Sequence, residues 1–437
     1  MKGSSDYTFY IVTLGCPKNR VDSRTMRTQM LLNGFQEADI PEKADFIIIN
    51  SCSFIREAQE ESIQTTFEVL KLKQEKKTRV GLVGCFTERF QEAIHKDIPE
   101  VDFTMGTGRY HEVAQVIGEK FSIQLKAQKN WQPATSETNP YAFFRIARGC
   151  SRKCSFCVIP SIRGPYTPYS LDEISEQFEF ESKLRSKVSL KEAILVSQDT
   201  VSSGASSIEN IVEFLQNKKS IEWIRLHYLF PDPRIFDILD LFSRYNKLVS
   251  YLDIPFQHVS PKILQSMNRP DNVEIYQEII DKARRIRPDM EFRTAFILGF
   301  PGETETDVEK ILEFVQAQSI QKVSFFPYSA EEGTTGAKLK DNIPYEEKVS
   351  RINYLRNEHL KSRKPVREKR IGSIENLLID EITPEEIIGR RAQDSPEIDE
   401  VVFIPKGNLD VKVGDFMKTR ILTPMEYDWM GEPVTGE

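Results

Sequence analysis

The ten residues Arg148-Gly149-Cys150-Ser151-Arg152-Lys153-Cys154-Ser155-Phe156-Cys157 are the most informative stretch of this chain, because they place three cysteines at the spacing C-x3-C-x2-C. Three thiolates on one short loop can hold three irons of a cubane iron–sulfur cluster and leave the fourth iron without a protein ligand. That open iron can bind and activate a small molecule. The spacing therefore predicts a [4Fe-4S] cluster with chemistry at its free corner.

A structural zinc site is the main alternative for these cysteines. Structural zinc takes four ligands, usually as two CxxC-like pairs. No fourth cysteine or histidine lies near the loop in the sequence. We therefore favour the iron–sulfur cluster over zinc or a set of packed thiols.

Length and composition predict a multidomain cytoplasmic protein. The chain has 437 residues, with 39% hydrophobic and 29% charged side chains, which is typical of soluble globular proteins. No apolar run approaches the roughly 18 to 20 residues of a membrane span, and residues 1–6 contain no apolar signal segment, so we expect no membrane association. In a reducing cytoplasm, cysteines favour metal binding over disulfides. All six cysteines lie in the first 157 residues.

The first third of the chain alternates strand-like and helix-like segments, which predicts a parallel α/β sheet. The strand-like runs are 9–14, 46–49 and 80–83, the helical segments are 22–33 and 55–74, and the cysteines after the three runs are Cys16, Cys52 and Cys85. Because ligand sites collect at the carboxyl ends of parallel strands, we expect these cysteines to converge on a second cluster with one open iron. Zinc, a redox disulfide or separately buried thiols are the alternatives.

A polar, proline-containing linker at 126–140 leads to a second α/β region. Its strand-like runs are 143–147, 193–197, 223–228, 249–254, 292–298 and 323–326, and its amphipathic segments include 171–184, 208–215, 234–242, 272–286 and 304–316. Six β/α units predict an open (β/α)6 barrel with its site at the carboxyl ends of the strands. The C-x3-C-x2-C loop follows the first strand, so it lies at the predicted mouth.

Further polar residues fall at the strand ends of this barrel. They are Gln198, Asp199, His227, Asp253, Gln257, His258 and the run Gly299-Phe300-Pro301-Gly302-Glu303. The glycine and proline run either lets backbone N–H groups approach a carboxylate at a helix start or simply makes a β–α turn. Both histidines are more often hydrogen-bonded structural residues than ligands, so we leave them outside the predicted site.

The C-terminal region predicts a small, acidic β-barrel. A helix at 345–361 precedes short strands at 374–379, 387–391, 401–404 and 416–421, which turn residues separate. Residues 366–437 contain nine Lys and Arg against sixteen Asp and Glu, so they carry the whole net charge of −7. An acidic barrel lacks the basic surface that nucleic-acid binding requires. We expect a basic protein partner, unless the charge serves only solubility.

Three such domains with two cysteine triads resemble the methylthiotransferases of the radical S-adenosylmethionine (SAM) class over nearly the whole chain. The matching motifs include Leu14-Gly15-Cys16-Pro17-Lys18-Asn19, Val21-Asp22-Ser23, Cys157-Val158-Ile159-Pro160, Ser197-Gln198-Asp199-Thr200, Arg225-Leu226-His227-Tyr228, Gly299 to Glu303 and Tyr427-Asp428-Trp429. The C-terminal barrel looks like a TRAM domain. The resemblance implies a methylthiotransferase domain at 6–125, a radical SAM barrel at 136–365 and a TRAM-like barrel at 366–434.

The resemblance also implies the cofactors. Two [4Fe-4S] clusters would be held by Cys150, Cys154 and Cys157 and by Cys16, Cys52 and Cys85. SAM would serve as radical source at the first cluster and as methyl donor for sulfur at the second, with a flavodoxin-like protein as reducing electron donor. The expected SAM contacts are Phe156, Gln198, Gly299 and Glu303, and no catalytic residue beyond the cluster ligands is assigned.

Within the family, the chain is most similar to the branch that modifies the β-carbon of an aspartate in the twelfth protein of the small ribosomal subunit. The expected substrate is therefore that protein, free or in the assembled subunit, and not nucleic acid. An unactivated C–H bond has no acidity that a base could use at neutral pH, which favours a radical route. A tRNA adenosine methylthiotransferase and a non-catalytic iron–sulfur protein that docks on the ribosome are the alternatives.

Overall fold

The computed structural model describes residues 3–75, 77–127, 137–270 and 272–434. Most of the linker predicted at 126–140 falls on residues 128–136, which are outside the described residues. Among the described residues, no helix has both the length and the apolar character needed to cross a bilayer.

The N-terminal sheet has five parallel strands in the order β2-β1-β3-β4-β5. Its strands are β1 Thr8–Thr13, β2 Gln36–Glu37, β3 Phe46–Ser51, β4 Arg79–Gly84 and β5 Phe103–Met105, and its helices are α1 Pro17–Leu32, α2 Arg56–Glu75, α3 Cys85–Asp97 and α4 Val113–Phe121. The predicted parallel α/β sheet is therefore confirmed. Sequence patterns missed β2 and β5, which span only two and three residues and carry almost no periodic signal.

Strand β3 shows why helices cover both faces of this sheet. All six of its residues are buried. Because successive side chains point to opposite faces, Phe46 and Ile48 pack with α1 and α4, whereas Ile47 and Ile49 pack with α2 and α3. A strand buried on both sides reads as a continuous apolar run, which is the pattern of a parallel sheet.

The central unit is an open barrel of six parallel strands. Its elements are β6 Tyr141–Arg145, β7 Ala147–Arg148, α5 Ile159–Arg163, β8 Thr167–Pro168, α6 Leu171–Leu184, β9 Glu192–Val196, α7 Ala205–Gln216, β10 Trp223–Leu226, α8 Ile235–Arg244, β11 Tyr251–Asp253, α9 Pro261–Ser266, α10 Val273–Ile286, β12 Glu291–Leu298, α11 Glu305–Ala317 and β13 Lys322–Pro327. Strands pair in the orders β6-β9-β10 and β11-β12-β13. The two halves are joined because Ile224 N donates to Lys247 O and Val249 N donates to Ile224 O. All six predicted strands are present.

The C-terminal unit is a closed five-stranded barrel reached through a long helix. The helix is α12 Tyr345–Glu368, and the strands are β14 Ile374–Ile382, β15 Glu386–Arg390, β16 Val402–Pro405, β17 Phe416–Pro424 and β18 Trp429–Pro433. The sequence predicted four strands and missed β18. That strand closes the barrel between β16 and β17, with Trp429 fully buried in the core.

Candidate active site

The C-x3-C-x2-C loop follows β6 and β7 and is held by backbone hydrogen bonds. Gly149 has φ +69, and a Cβ there would lie 2.1 Å from the carbonyl oxygen of Pro165. Only glycine fits such a left-handed turn against a neighbouring backbone. Beyond it, Cys150 N donates to Gly164 O at 3.1 Å, and Cys157 N donates to Cys154 O at 3.2 Å. The loop therefore has a defined shape.

Arg152 anchors this loop to the carboxyl ends of the barrel strands. Its guanidinium pairs with Asp199 at 2.6 Å and with Asp232 at 2.5 Å, and it lies 3.6 Å from the centroid of the Phe230 ring. Asp199 follows β9, and Asp232 follows β10. The predicted mouth residue Asp199 therefore positions the cysteine loop.

Two of the three thiols of the loop, those of Cys150 and Cys157, lie in an environment that disfavours free thiolates. Burial raises the pKa of Cys150, and the neighbouring charges of Asp199 and Cys154 add to the effect. Burial raises the pKa of Cys157 to about 12, and Cys154 and Cys150 raise it further. Thiolates at such a site require a compensating positive charge, which a metal centre provides.

The second group of cysteines lies at the carboxyl ends of three adjacent strands. Cys16 caps α1 after β1, Cys52 follows β3, and Cys85 begins α3 after β4. Gly15 has φ +81, and a Cβ there would lie 2.7 Å from Cys52 Sγ, so the backbone beside Cys16 touches Cys52. The charge of Cys16 also acts on both Cys52 and Cys85. The tertiary structure thus gathers the three strand-end cysteines into one region, which we name the N-terminal triad.

Cys16 differs electrostatically from its two partners. Burial raises the pKa of Cys52 to about 12 and also raises the pKa of Cys85. Burial opposes ionisation of Cys16 as well, yet the pKa of Cys16 is lowered, because Lys18, Arg163 and the N–H groups at the start of α1 favour its thiolate. A helix N-terminus stabilises negative charge in this way.

Arg163 connects the N-terminal triad to the loop of Cys150, Cys154 and Cys157, which we name the central triad. Its guanidinium donates to Cys85 Sγ at 3.2 Å and to Asn19 Oδ1 at 2.7 Å. Val158 and Ile162 pack against Cys85. Because Val158 directly follows Cys157, the two triads are neighbours.

Sequence reasoning assigned no role to three polar residues here, namely Lys18, Asn19 and Arg163. Lys18 and Asn19 directly follow Cys16 and Pro17, and Arg163 lies six residues beyond Cys157. Their closeness in the sequence to the predicted ligand cysteines was the signal that could have identified them.

Both triads have the donor chemistry of iron–sulfur clusters. Each offers three sulfurs whose thiols influence one another electrostatically. Within the described part of the chain, no three His, Cys, Asp or Glu side chains are arranged to hold a single metal ion. A cluster of four irons and four sulfides spans a wider gap than one ion, so its thiolates stand further apart. The three sulfur donors of each triad match the ligand set that such a cluster takes.

The predicted SAM contacts have different surroundings. Phe156 packs with Phe300 and Tyr328 in an apolar cluster. The side-chain amide of Gln198 is buried, and neither its nitrogen nor its oxygen has a hydrogen-bond partner among the described residues. A buried amide without partners is costly unless a ligand satisfies it. Gln198 therefore fits a role in binding a polar cofactor.

Gly299 and Glu303 form a tight turn after β12. Gly299 has φ +76, its N–H donates to Glu303 at 2.8 Å, and Lys348 packs against its α-carbon. Arg351 pairs with the same carboxylate at 2.7 Å, and His258 lies 3.3 Å from it. The protein itself thus engages the Glu303 carboxylate. The assignment of this turn to SAM stays a prediction.

The two histidines left outside the predicted site have structural partners. His258 Nδ1 accepts from the backbone N–H groups of Val259 and Ser260, each at 2.9 Å. His227 lies 3.0 Å from Ser395 Oγ and is fully buried.

A polar cavity of about 460 Å³ borders the outer side of α1 and Gly15. Its arginines are neutralised by the protein, since Arg24 pairs with Glu181 at 2.9 Å and Arg27 pairs with Glu37 at 2.6 Å. These two arginines of the cavity are therefore matched by carboxylates of the protein.

Family comparisons agree with this architecture. The family described as Uncharacterized protein family UPF0004 matches residues 8–106, the Radical SAM superfamily matches 144–315, and the TRAM domain matches 371–434. The fold also resembles the radical SAM methyltransferase TsrM of Kitasatospora setae, with a TM-score of 0.56, 11% identity and 73% of each chain covered. The cobalamin-dependent SAM radical enzyme OxsB aligns with a TM-score of 0.51 at 12% identity, covering 80% of this chain and 56% of OxsB.

The open barrel and the cysteine loop at its mouth, together with these matches, define a radical SAM enzyme. The chain is 40% identical to a protein of Leptospira biflexa named ribosomal protein uS12 methylthiotransferase RimO, over 97% of this chain and 96% of the relative. It is 35% identical to the RimO of Geotalea uraniireducens, over 97% and 98% of the two chains. The chain belongs to the RimO family of radical SAM methylthiotransferases.

Proposed function

We propose that this enzyme adds a methylthio group to the β-carbon of an aspartate in ribosomal protein uS12, either free or in the small ribosomal subunit. The observation that carries the proposal is the proximity of two sulfur-only triads, with Val158 of the central loop packed on Cys85 of the N-terminal triad. A reaction that needs both a radical and a sulfur atom requires two such centres close together. The names of the relatives supply the substrate.

We assign the six cysteines as the ligands of two [4Fe-4S] clusters, three to each cluster. When bound, the clusters and SAM supply a radical that takes a hydrogen atom from an unactivated carbon, together with an activated sulfur atom. A flavodoxin-like reductant would provide the electron. Gln198, whose amide nitrogen and oxygen are buried and unsatisfied, would donate to or accept from SAM, and Phe156 would offer it an apolar contact.

The remaining residues of the site position these groups. Arg152 holds the central loop against the strand ends, and Gly149 permits its turn. Arg163 donates to Cys85 Sγ and so favours the thiolate of a ligand that burial would otherwise keep neutral. Asn19 fixes the start of α1, because its Nδ2 donates to the carbonyl oxygens of Leu14 and Ser51.

A protein substrate also agrees with the charge of the C-terminal barrel. Residues 366–437 carry the entire negative net charge. A phosphate backbone would be repelled by such a module, whereas a basic ribosomal protein would be attracted.

The test is an anaerobic assay with the reconstituted enzyme, a reductant, SAM and a peptide that carries the candidate aspartate loop. A mass gain of about 46 Da corresponds to replacement of one hydrogen by a methylthio group. Cys150→Ala should abolish SAM cleavage. Cys85→Ala should still cleave SAM but add no sulfur. Methylthio transfer at the parent rate by Cys85→Ala would refute the second cluster, and modification of tRNA instead of the peptide would refute the substrate.

A further inference from the structure

Lys18 has an unusual position among the charged residues of the site. It lies two residues after Cys16, in the first turn of α1, and its Nζ stands 3.3 Å from the centroid of the Tyr228 ring. Its charge acts on the thiols of both Cys16 and Cys157. We name the space bordered by Cys16, Cys157, Lys18 and Tyr228 the inter-triad region. The two cysteines and Lys18 are only partly buried, so this region is accessible.

The arginines around Lys18 are already paired with carboxylates. Arg145 and Arg163 both pair with Asp22. Arg293 pairs with Asp399 at 2.7 Å. Within the described residues, by contrast, no carboxylate oxygen lies within 4 Å of Lys18 Nζ, and no hydrogen bond from this atom is present.

The charge of Asp253 acts on Lys18, but the Asp253 carboxylate contacts other groups. It accepts a hydrogen bond from Tyr228 N at 3.3 Å and lies 3.8 Å from His227 Nδ1. The Lys18 ammonium group therefore contacts an aromatic ring in the inter-triad region and is not paired with a carboxylate of the described residues. Such a cation is able to receive an anionic group from outside.

Tyr228 holds the ammonium in place. It follows β10 and has φ +59, a left-handed conformation that is rare for a bulky residue. Strained backbone of this kind persists where the surrounding structure enforces it, and it is common at functional sites. Here the strain accompanies placement of the ring beneath Lys18, which makes Tyr228 a positioning residue.

We propose that Lys18 binds the side-chain carboxylate of the substrate aspartate in the inter-triad region and thereby selects an acidic side chain for modification. The inference rests on the proposed function. In an aspartate, the reacting β-carbon is bonded directly to the carboxyl carbon, so an anchored carboxylate also fixes the β-carbon. Without Lys18, the nearby arginines Arg145 and Arg163 are already paired with Asp22, so repulsion from the thiolates would oppose binding of a further carboxylate.

The test compares two fluorescently labelled peptides, one with the target aspartate and one with asparagine in its place, on the anaerobically reconstituted enzyme. Fluorescence anisotropy gives the ratio of the two dissociation constants. The parent enzyme should prefer the aspartate peptide by about tenfold or more, as expected for a desolvated charge pair. Lys18→Met keeps the side-chain length and removes the charge. It should bind both peptides equally and raise KM for the aspartate peptide more than it lowers kcat.

Three further variants separate the effect of charge from the effect of side-chain shape. Lys18→Arg should retain most of the aspartate preference. Tyr228→Phe keeps the ring and should retain the preference for the aspartate peptide, whereas Tyr228→Leu removes the ring and should reduce that preference. The iron content of each variant must match that of the parent, because a lysine that serves the N-terminal cluster would lower it when replaced.

The outcomes are distinguishable. An unchanged aspartate preference in Lys18→Met, or loss of iron from that variant, refutes the role of Lys18 and leaves the proposed function standing if the parent still modifies the peptide. If the parent neither modifies the aspartate peptide nor prefers it to the asparagine peptide, the proposed function fails and the Lys18 assignment fails with it.

Discussion

Replacement of Asp22 by asparagine tests how the N-terminal sheet is attached to the barrel. Asp22 lies on α1 and is fully buried. Its carboxylate pairs with Arg145 on β6 and with Arg163 on α5, the latter at 2.8 Å. One carboxylate therefore compensates two buried guanidinium groups that belong to another unit of the fold. Asparagine keeps the shape of the side chain but removes the charge.

The expected cost follows from the burial of all three groups. Breaking a buried ion pair by removal of one partner costs about 3–5 kcal/mol, because the remaining charge stays uncompensated. The Asp22→Asn enzyme should therefore lose about 3 kcal/mol or more of unfolding free energy. With a slope of roughly 2–3 kcal/mol per molar urea, the unfolding midpoint falls by about 1–2 M. Because Arg163 also contacts Cys85, methylthio transfer should fall more than SAM cleavage.

The assay is anaerobic urea unfolding of the reconstituted enzyme followed by tryptophan fluorescence, with SAM cleavage and peptide modification measured in parallel. Asp39→Asn is the matched control, since Asp39 forms an exposed pair with Lys43 on the surface. Exposed pairs of this kind contribute little, so the control should unfold like the parent. Equal urea midpoints for Asp22→Asn and Asp39→Asn would refute the assigned role of the buried carboxylate.

Three other perturbations address separate parts of the molecule. Burial, with the nearby charge of an arginine, lowers the pKa of His359 from 6.5 to about 4. The folded state thus binds this proton less readily than the unfolded state. The contribution of His359 to the free energy of unfolding is complete above pH 6.5. It is lost as the pH falls toward 4, and about 2 kcal/mol of it is gone at pH 5. His359→Gln should therefore make the free energy of unfolding fall less steeply at acid pH. Arg367 donates to the four carbonyl oxygens of residues 425–428, so Arg367→Met should expose the C-terminal barrel to proteolysis at low protease concentrations. Gly149→Ala places a Cβ 2.1 Å from Pro165 O and should lower the iron content to about half, because only the N-terminal triad keeps its shape.

Several features of the fold could be predicted because their signals are local. The run 46–49 is continuously apolar and became the buried strand β3. The segment 171–184 matches α6 residue for residue, because Ser170 and Glu173 form a capping box in addition to the amphipathic pattern. Helix α12 continues seven residues beyond its predicted end at 361 and contains Pro365. Contacts such as the ion pair of Arg363 with Glu400 in the C-terminal barrel support this extension, and a local pattern cannot show them.

The spacing of cysteines along the chain and the alternation of strands and helices were sufficient to predict two thiol triads, a parallel sheet, an open barrel and a small acidic barrel. Hydrophobic periodicity and the spacing of the central triad are short-range properties, and the N-terminal triad was predicted because each of its cysteines follows a strand-like run. The tertiary structure alone decided that the triads are neighbours and that Arg163 joins them by reaching Asn19, 144 residues earlier. It also decided that the Lys18 ammonium group lies over the face of the Tyr228 ring. Such contacts depend on how separate units pack, and packing is a property of the assembled chain that no local stretch of sequence contains.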